Sequence, residues 1–103
     1  MVPFDIHVAY VHVKDGKNRP VVILYSEDTA AVVFKITSRY ECKSEAMRSQ
    51  YLKITDWKKA GLVKPSYIDT VRAYKIPAES IKHPPIGSLS KKDAEMLIAA
   101  LKI

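Results

Sequence analysis

Phe4, Ile6, Val8, Tyr10 and His12 alternate with Asp5, His7, Ala9, Val11 and Val13, the period of two that marks a β-strand. Lys14 to Asn18 follows as a polar loop carrying the Asp15-Gly16 turn signal. The next stretch is KNRPVVILYS, Lys17 to Ser26. Its apolar run, Val21 to Leu24, reads as a buried strand opened by Pro20, because the first strand position need not donate a ladder hydrogen bond. These two strands are expected to form a hairpin. After Ser26-Glu27-Asp28-Thr29, the run Ala30 to Ile36 is apolar on both alternating sets apart from Lys35. That pattern predicts a central strand buried on two faces, ending at Thr37-Ser38-Arg39.

Beyond Arg39 the pattern weakens. Residues 39–50 read as a loop with a short helical turn around Glu45 to Gln50, and Tyr51 to Ile54 as a short strand. Asp56 is placed to cap the turn Trp57-Lys58-Lys59-Ala60, and Gly61 fits the left-handed stop that follows. Ser66 to Ile76 is rich in β-branched and aromatic residues and is the longest strand of the second half. The C-terminus is the clearest element. Ser90-Lys91-Lys92-Asp93 has the form of a capping box, and Ala94, Leu97, Ile98 and Leu101 recur on one helical face, predicting a helix over about 90–102.

Several short strands joined by polar turns and closed by one helix predict a mainly β (α+β) single domain over 1–103, a small barrel rather than a layered parallel sheet. The 103 residues, 48% apolar and 27% charged, are enough to bury a core. No stretch approaches the roughly 20 consecutive apolar residues that span a bilayer. The N-terminal MVPFDIHVAY lacks the basic start and continuous apolar segment of a signal peptide, and Cys42 stands alone, so the expected location is the cytoplasm.

Charge changes the picture. The net +6 is carried entirely between Lys35 and Lys75, where ten basic residues stand against four acids. Such an excess suits a polyanion, either nucleic acid or an acidic protein segment, although a merely solubilising surface has the same composition.

Most catalytic chemistries find no support. His7, His12 and His83 lack the close Cys/His spacings of a zinc site, His7 and His12 point to opposite faces of one strand, and all three read as surface or edge histidines. Three glycines with no G-x-G arrangement form no phosphate-cradling loop, and no histidine pairs with Ser38 or Ser66 as a nucleophile. No metal or cofactor is expected. What remains is Arg19 before one strand and Thr37 and Ser38 after the next. Adjacent antiparallel strands bring such positions together, and a guanidinium fork with a hydroxyl donor suits a phosphate or a phosphorane. RNA supplies its own 2′-hydroxyl nucleophile, so the pair needs no further cofactor; taken alone, Arg-Pro before a strand is commonly just a strand entry.

Four blocks in order, R-P-V-V-I-L at Arg19 to Leu24, K-I-T-S at Lys35 to Ser38, D-W-K-K-A-G-L-V-K-P-S at Asp56 to Ser66 and I-G-S-L-S before the last helix, make the chain resemble the PemK/MazF toxins of type II toxin–antitoxin pairs. The resemblance implies an SH3-like barrel with a C-terminal helix and a homodimer with an RNA groove along its interface. It implies metal-independent cleavage of single-stranded RNA, typically mRNA, and neutralisation by an antitoxin whose acidic tail fills the basic groove. It also implies that Arg19 and Thr37 are catalytic.

Departures from the family pattern bear on the roles. The first-hairpin loop is short, which shifts substrate contacts to Lys14, Lys17 and Asn18. Lys64 and Ser66 stand where some members carry an arginine and an acid. No carboxylate is offered there, and arginine, serine and threonine are poor bases near neutrality, so the proton acceptor is open. The working assignment is Arg19 as phosphorane stabiliser and Thr37 as oxygen-anchoring donor, with Lys17, Ser38, Arg39, Lys64 and Ser66 binding substrate. Trp57 reads as a core anchor, and Tyr40, Tyr51 and Tyr67 as exposed rings able to stack a base. Two other classes stay open: a non-catalytic toxin of the same fold acting on DNA gyrase, which needs no Arg-Pro and Thr pair, and a small-barrel module that binds nucleic acid or protein.

Overall fold

Every strand pair in the computed structural model is antiparallel. The structure describes residues 1–11, 17–41 and 43–101. Strands β1 (Asp5–Val11), β2 (Lys17–Ser26), β3 (Ala30–Thr37), β4 (Tyr51–Lys53), β5 (Tyr67–Pro77) and β6 (Gly87–Ser88) form one sheet in the order β4-β5-β3-β2-β1-β6. Helix α1 (Glu45–Arg48) leads into β4, and α2 (Lys91–Leu101) closes the described chain. The mainly β class and the terminal helix agree with the sequence. The small barrel does not close, because β4 and β6 sit at opposite margins and, with three and two residues, offer too few ladder bonds to join. His12, Lys14, Cys42 and the last turn expected for the helix, residue 102, lie outside the described residues.

Alternation along the strands builds two cores. Ile6, Val22, Phe34, Ile36 and Ile68 pack with Ile54, Ala60, Leu62, Leu89 and Leu97 on one side of the sheet. Ala9, Val11, Val21, Ile23, Ala31, Val33, Ile76 and Ile81 pack on the other. Strands β2 and β3 serve both, which is why Val21–Ile23 and Ala31–Ile36 read as almost unbroken apolar runs. Each such buried aliphatic side chain contributes about 1.5–3 kcal/mol by leaving water.

Several details differ from the sequence reading. Pro20 is not the first residue of its strand; β2 begins at Lys17, and Pro20 faces Val8 on β1 before pairing with β3 starts at Val21. The proline is tolerated there because one flank of β2 is still open. His7 is no surface residue: it is 1% exposed, its Nδ1 lies 2.9 Å from the Lys82 carbonyl, and the exposed His83 ring meets it edge-on. Ile98, assigned to the inner face of the helix, is exposed, and Leu97, Ala94 and Leu101 make the contact with the core.

The turn after β4 is capped by a different carboxylate from the one expected. Asp93, completely buried at the start of α2, accepts the Thr55 amide on Oδ1 (3.0 Å) and the Asp56 amide on Oδ2 (2.9 Å). Only half of the capping box forms: the Asp93 amide donates to Ser90 Oγ at 3.2 Å, and the Asp93 side chain turns to the 55–56 backbone. Gly61 ends the turn at φ 87°, and its Cα lies against the backbone of Ile86 while Gly87 lies against that of Ala60. A Cβ on either glycine would collide with the other segment's carbonyl, so both blocks need glycine for one close approach. This joint and Asp93 fix the segment Leu62–Ser66 at the end of the sheet.

Candidate functional site

The two sequence-selected residues stand on neighbouring paired strands, Arg19 on β2 and Thr37 at the end of β3. Ala9 pairs with Arg19, and Val21 pairs with Lys35. The β2/β3 ladder stops at Val21 and Lys35, two residues short of Arg19 and Thr37, and Thr37 pairs with Tyr67 on β5, which pairs with Lys53 on β4. Side chains opposite one another share a face, so Thr37, Tyr67 and Lys53 form one row across three strands. The row inside it holds Lys35, Asp69 and Tyr51. There Tyr51 Oη donates to Asp69 Oδ2 at 3.3 Å, the Val71 amide donates to Oδ1 at 3.0 Å, and Lys35 Nζ stands 3.8 Å from Oδ2. This mostly buried network props the row from behind.

A cleft of about 380 Å³ opens where β2 begins and β3 stops. Lys17, Arg19, Thr37, Ser38, Arg39, Lys64 and Ser66, all of the residues singled out from sequence, line it. Lys43 adds a fifth cation, and the described lining contains no acid. Ile36 and Leu62 expose apolar surface inside it. Elsewhere, Lys35, Arg48 and Lys75 stand near Asp69, Glu41 and Glu27, so part of the basic excess is balanced there. A low-dielectric rim around like charges concentrates positive potential and draws an anion.

Local bonding separates the hydroxyls. Thr37 Oγ1 accepts the Arg39 amide at 3.0 Å, which orients the side chain and leaves its hydrogen unused by that bond. Ser66 is 5% exposed, and its hydroxyl donates to the Lys64 carbonyl at 2.8 Å. Ser66 therefore shapes the wall that presents Lys64 more than it offers a donor to a ligand.

The aromatic expectations divide. Tyr51 is a correction: at 7% exposure it belongs to the interior, its phenol held by Asp69, because β4 turns that face inward. Tyr40 and Tyr67 are half-buried and stack on each other, with ring centroids 4.2 Å apart and planes 14° from parallel. Trp57 packs against the core, with Lys58 over its ring. Sequence reasoning missed Lys43 and Asp93 as builders of the site. Lys43 carried no signal beyond its charge, and Asp93 was read only as part of a helix cap. Among the described residues, no cluster of three His, Cys, Asp or Glu side chains is arranged to hold a metal ion, and no helix is long and apolar enough to cross a membrane.

No family model matches the chain, and a search of curated proteins finds no match. The fold, however, is similar to that of the solved Mycobacterium tuberculosis toxin MazF-mt6 (TM-score 0.67, 24% identity, 96% of this chain and 97% of that one). The two chains share one architecture along nearly their whole lengths.

Proposed function

We propose that this chain is a MazF-type toxin of a type II toxin–antitoxin system, acting in the cytoplasm as a metal-independent endoribonuclease on single-stranded RNA, typically mRNA. The observation that carries the reading is a cationic cleft, lined by both Arg19 and Thr37, whose described lining contains no acid. The likeness in fold to a MazF toxin supports it.

In this reading the RNA backbone enters the cleft and is held by Lys17, Arg39, Lys43 and Lys64. The 2′-hydroxyl attacks the adjacent phosphorus, and charge grows on the equatorial oxygens of the phosphorane. The Arg19 fork and the Thr37 hydroxyl meet that charge, so they bind the transition state more strongly than the ground state. The P–O5′ bond then breaks and the leaving 5′-oxygen takes a proton from the Arg19 guanidinium, which solvent restores, leaving a 2′,3′-cyclic phosphate and a 5′-hydroxyl. Ser38 and Ser66 set the wall. A homodimer and an antitoxin with an acidic tail belong to the same reading, the tail competing with RNA for the cations.

Incubating the protein with mixed-sequence single-stranded RNA and a metal chelator tests the reading. Cyclic-phosphate ends are expected. Intact RNA together with inhibited DNA gyrase would favour the non-catalytic toxin instead, and RNA bound but uncut would favour a binding module.

Two further outcomes are expected. Thr37→Val keeps the shape and loses the hydroxyl, and should slow cleavage roughly 10-fold, the value of one hydrogen bond to a charged group. Single-turnover rates with saturating RNA report it, and an unchanged rate removes Thr37 from the chemistry. The described lining offers no carboxylate or imidazole, and this reading takes solvent as the acceptor of the 2′-hydroxyl proton. Log rate should then climb with about unit slope from roughly pH 6 to 8 without a bell. A plateau with its inflection near the ordinary imidazole value of about 6.5 would instead implicate a histidine.

A further inference from the structure

The row that starts at Thr37, in the lining of the cleft, does not end there. It continues through Tyr67 on β5 to Lys53 on β4, all on one face. The Arg48 guanidinium lies over Tyr40 at 5.7 Å, and Tyr40 stacks on Tyr67, so a column of flat groups leads to the Tyr67 ring. Among the described residues no second ring or cation stacks on Tyr67. Lys53, beside it, is exposed and stands at the margin of the sheet. From Thr37 to Lys53 the row covers two interstrand steps, roughly 10 Å at the usual spacing.

The geometry points to a nucleobase subsite: an RNA strand whose scissile phosphate lies at Arg19 and Thr37 runs outward across β5 and β4, stacks one flanking base on Tyr67, and passes its next phosphate to Lys53. Flat π surface beside a cation is what single strands use where base identity is read loosely, since every base has a face to stack. The Tyr40 ring and the Arg48 plane behind Tyr67 hold it still, so little ordering is needed when the base arrives. This subsite rests on the RNA-cleaving function proposed above.

The test uses a short single-stranded RNA spanning a mapped cleavage site, made 2′-deoxy at the scissile nucleotide so that it binds uncut, with abasic positions placed in turn along it. One abasic position next to the scissile phosphate should weaken binding to the unaltered protein about 5- to 100-fold. Tyr67→Ala should weaken the complete RNA by a similar factor, and the two changes together should cost no more than either alone. Tyr67→Phe should bind normally, because the stack needs the ring and not the hydroxyl. Lys53→Ala should flatten the slope of log affinity against log salt by about 0.7, the signature of one lost phosphate contact on single strands. If Tyr67→Ala does not fold, Tyr67→Leu keeps apolar bulk without a π face and serves instead.

Additive effects at every abasic position, with RNA still cut, would mean that the ring is only packing, and the subsite would fall while the nuclease function stood. Coupled binding to mixed-sequence RNA without cleavage of the native 2′-hydroxyl form would leave the subsite and remove the nuclease. RNA neither bound nor cut would remove both.

Discussion

Replacing Arg19 with alanine should lower the single-turnover rate of RNA cleavage by a factor on the order of 100 to 1,000, with folding retained. The size follows from where the charge is held. The backbone of Arg19 is locked into the β1/β2 ladder opposite Ala9, and the side chain is half-buried at the mouth of the cleft. A donor fixed in that way spends little reorganisation when negative charge develops, which is why losing it removes several kcal/mol from the barrier side, about 3–4. Arg19→Lys should recover only part of the rate, because a point charge cannot bridge two phosphorane oxygens as a planar fork does. The control is direct: circular dichroism and the thermal midpoint of Arg19→Ala should match those of the parent protein. Comparable rates for parent and Arg19→Ala would remove the guanidinium from the chemistry and, with it, the reason for preferring a nuclease over a gyrase poison.

Asp93→Ala is expected to destabilise the fold strongly, by about 3–5 kcal/mol. Its carboxylate is fully buried and holds two backbone amides, those of Thr55 and Asp56, that have no other described partner. Each charge-assisted bond of this kind contributes about 1.5–3 kcal/mol, and the amides left behind are penalised further when they stay out of water. For a domain of this size the thermal midpoint should fall on the order of 20 °C. Asp93→Asn should lie between, since the amide keeps one acceptor but points hydrogens at a second donor. Chemical denaturation of the three proteins measures this, and a shift under about 1 kcal/mol for the alanine variant would mean that water takes over the carboxylate's role. Because the 55–56 turn continues into the Leu62–Ser66 wall, the variant should also bind RNA more weakly at temperatures where it remains folded.

What could be read from the sequence follows from which forces are local. The period of two in β1, the two-sided burial of β3 and the apolar face of α2 are recorded in adjacent residues, and the strands and helix appear where those patterns lie. That Arg19 and Thr37 would border one cleft was also legible, because a hairpin partner and a neighbouring antiparallel strand fix which ends of the strands share an edge. Contacts made by backbone are harder to see. Gly87–Ser88 pairs with β1 through two residues only, too few to carry a pattern, and the partner of Asp93 lies 37 and 38 positions away in sequence. His7 looked like an edge histidine because alternation cannot tell a polar residue facing solvent from one whose ring nitrogen finds a carbonyl 75 positions on. That the sheet stays open was hidden for a similar reason, since strand count does not give the length of the marginal strands.

The irregularity in β5 was equally invisible. Val33 pairs with Tyr74 and Lys35 with Asp69, so the single residue Phe34 faces the four residues Thr70–Ala73, and β5 bows away from its neighbour. That detour explains why Val71, Arg72 and Ala73 are exposed inside what reads as one continuous strand. It also lets Asp69 and Tyr67 resume pairing in step with Lys35 and Thr37, so the polar rows of the site form despite the interruption.

Arg19 is fastened by the β1/β2 ladder, whereas Lys64 belongs to the segment that follows the Gly61–Gly87 joint, so the cleft draws its walls from two separately anchored stretches of chain. A change at either anchor should therefore disturb the cleft even where the sheet itself survives.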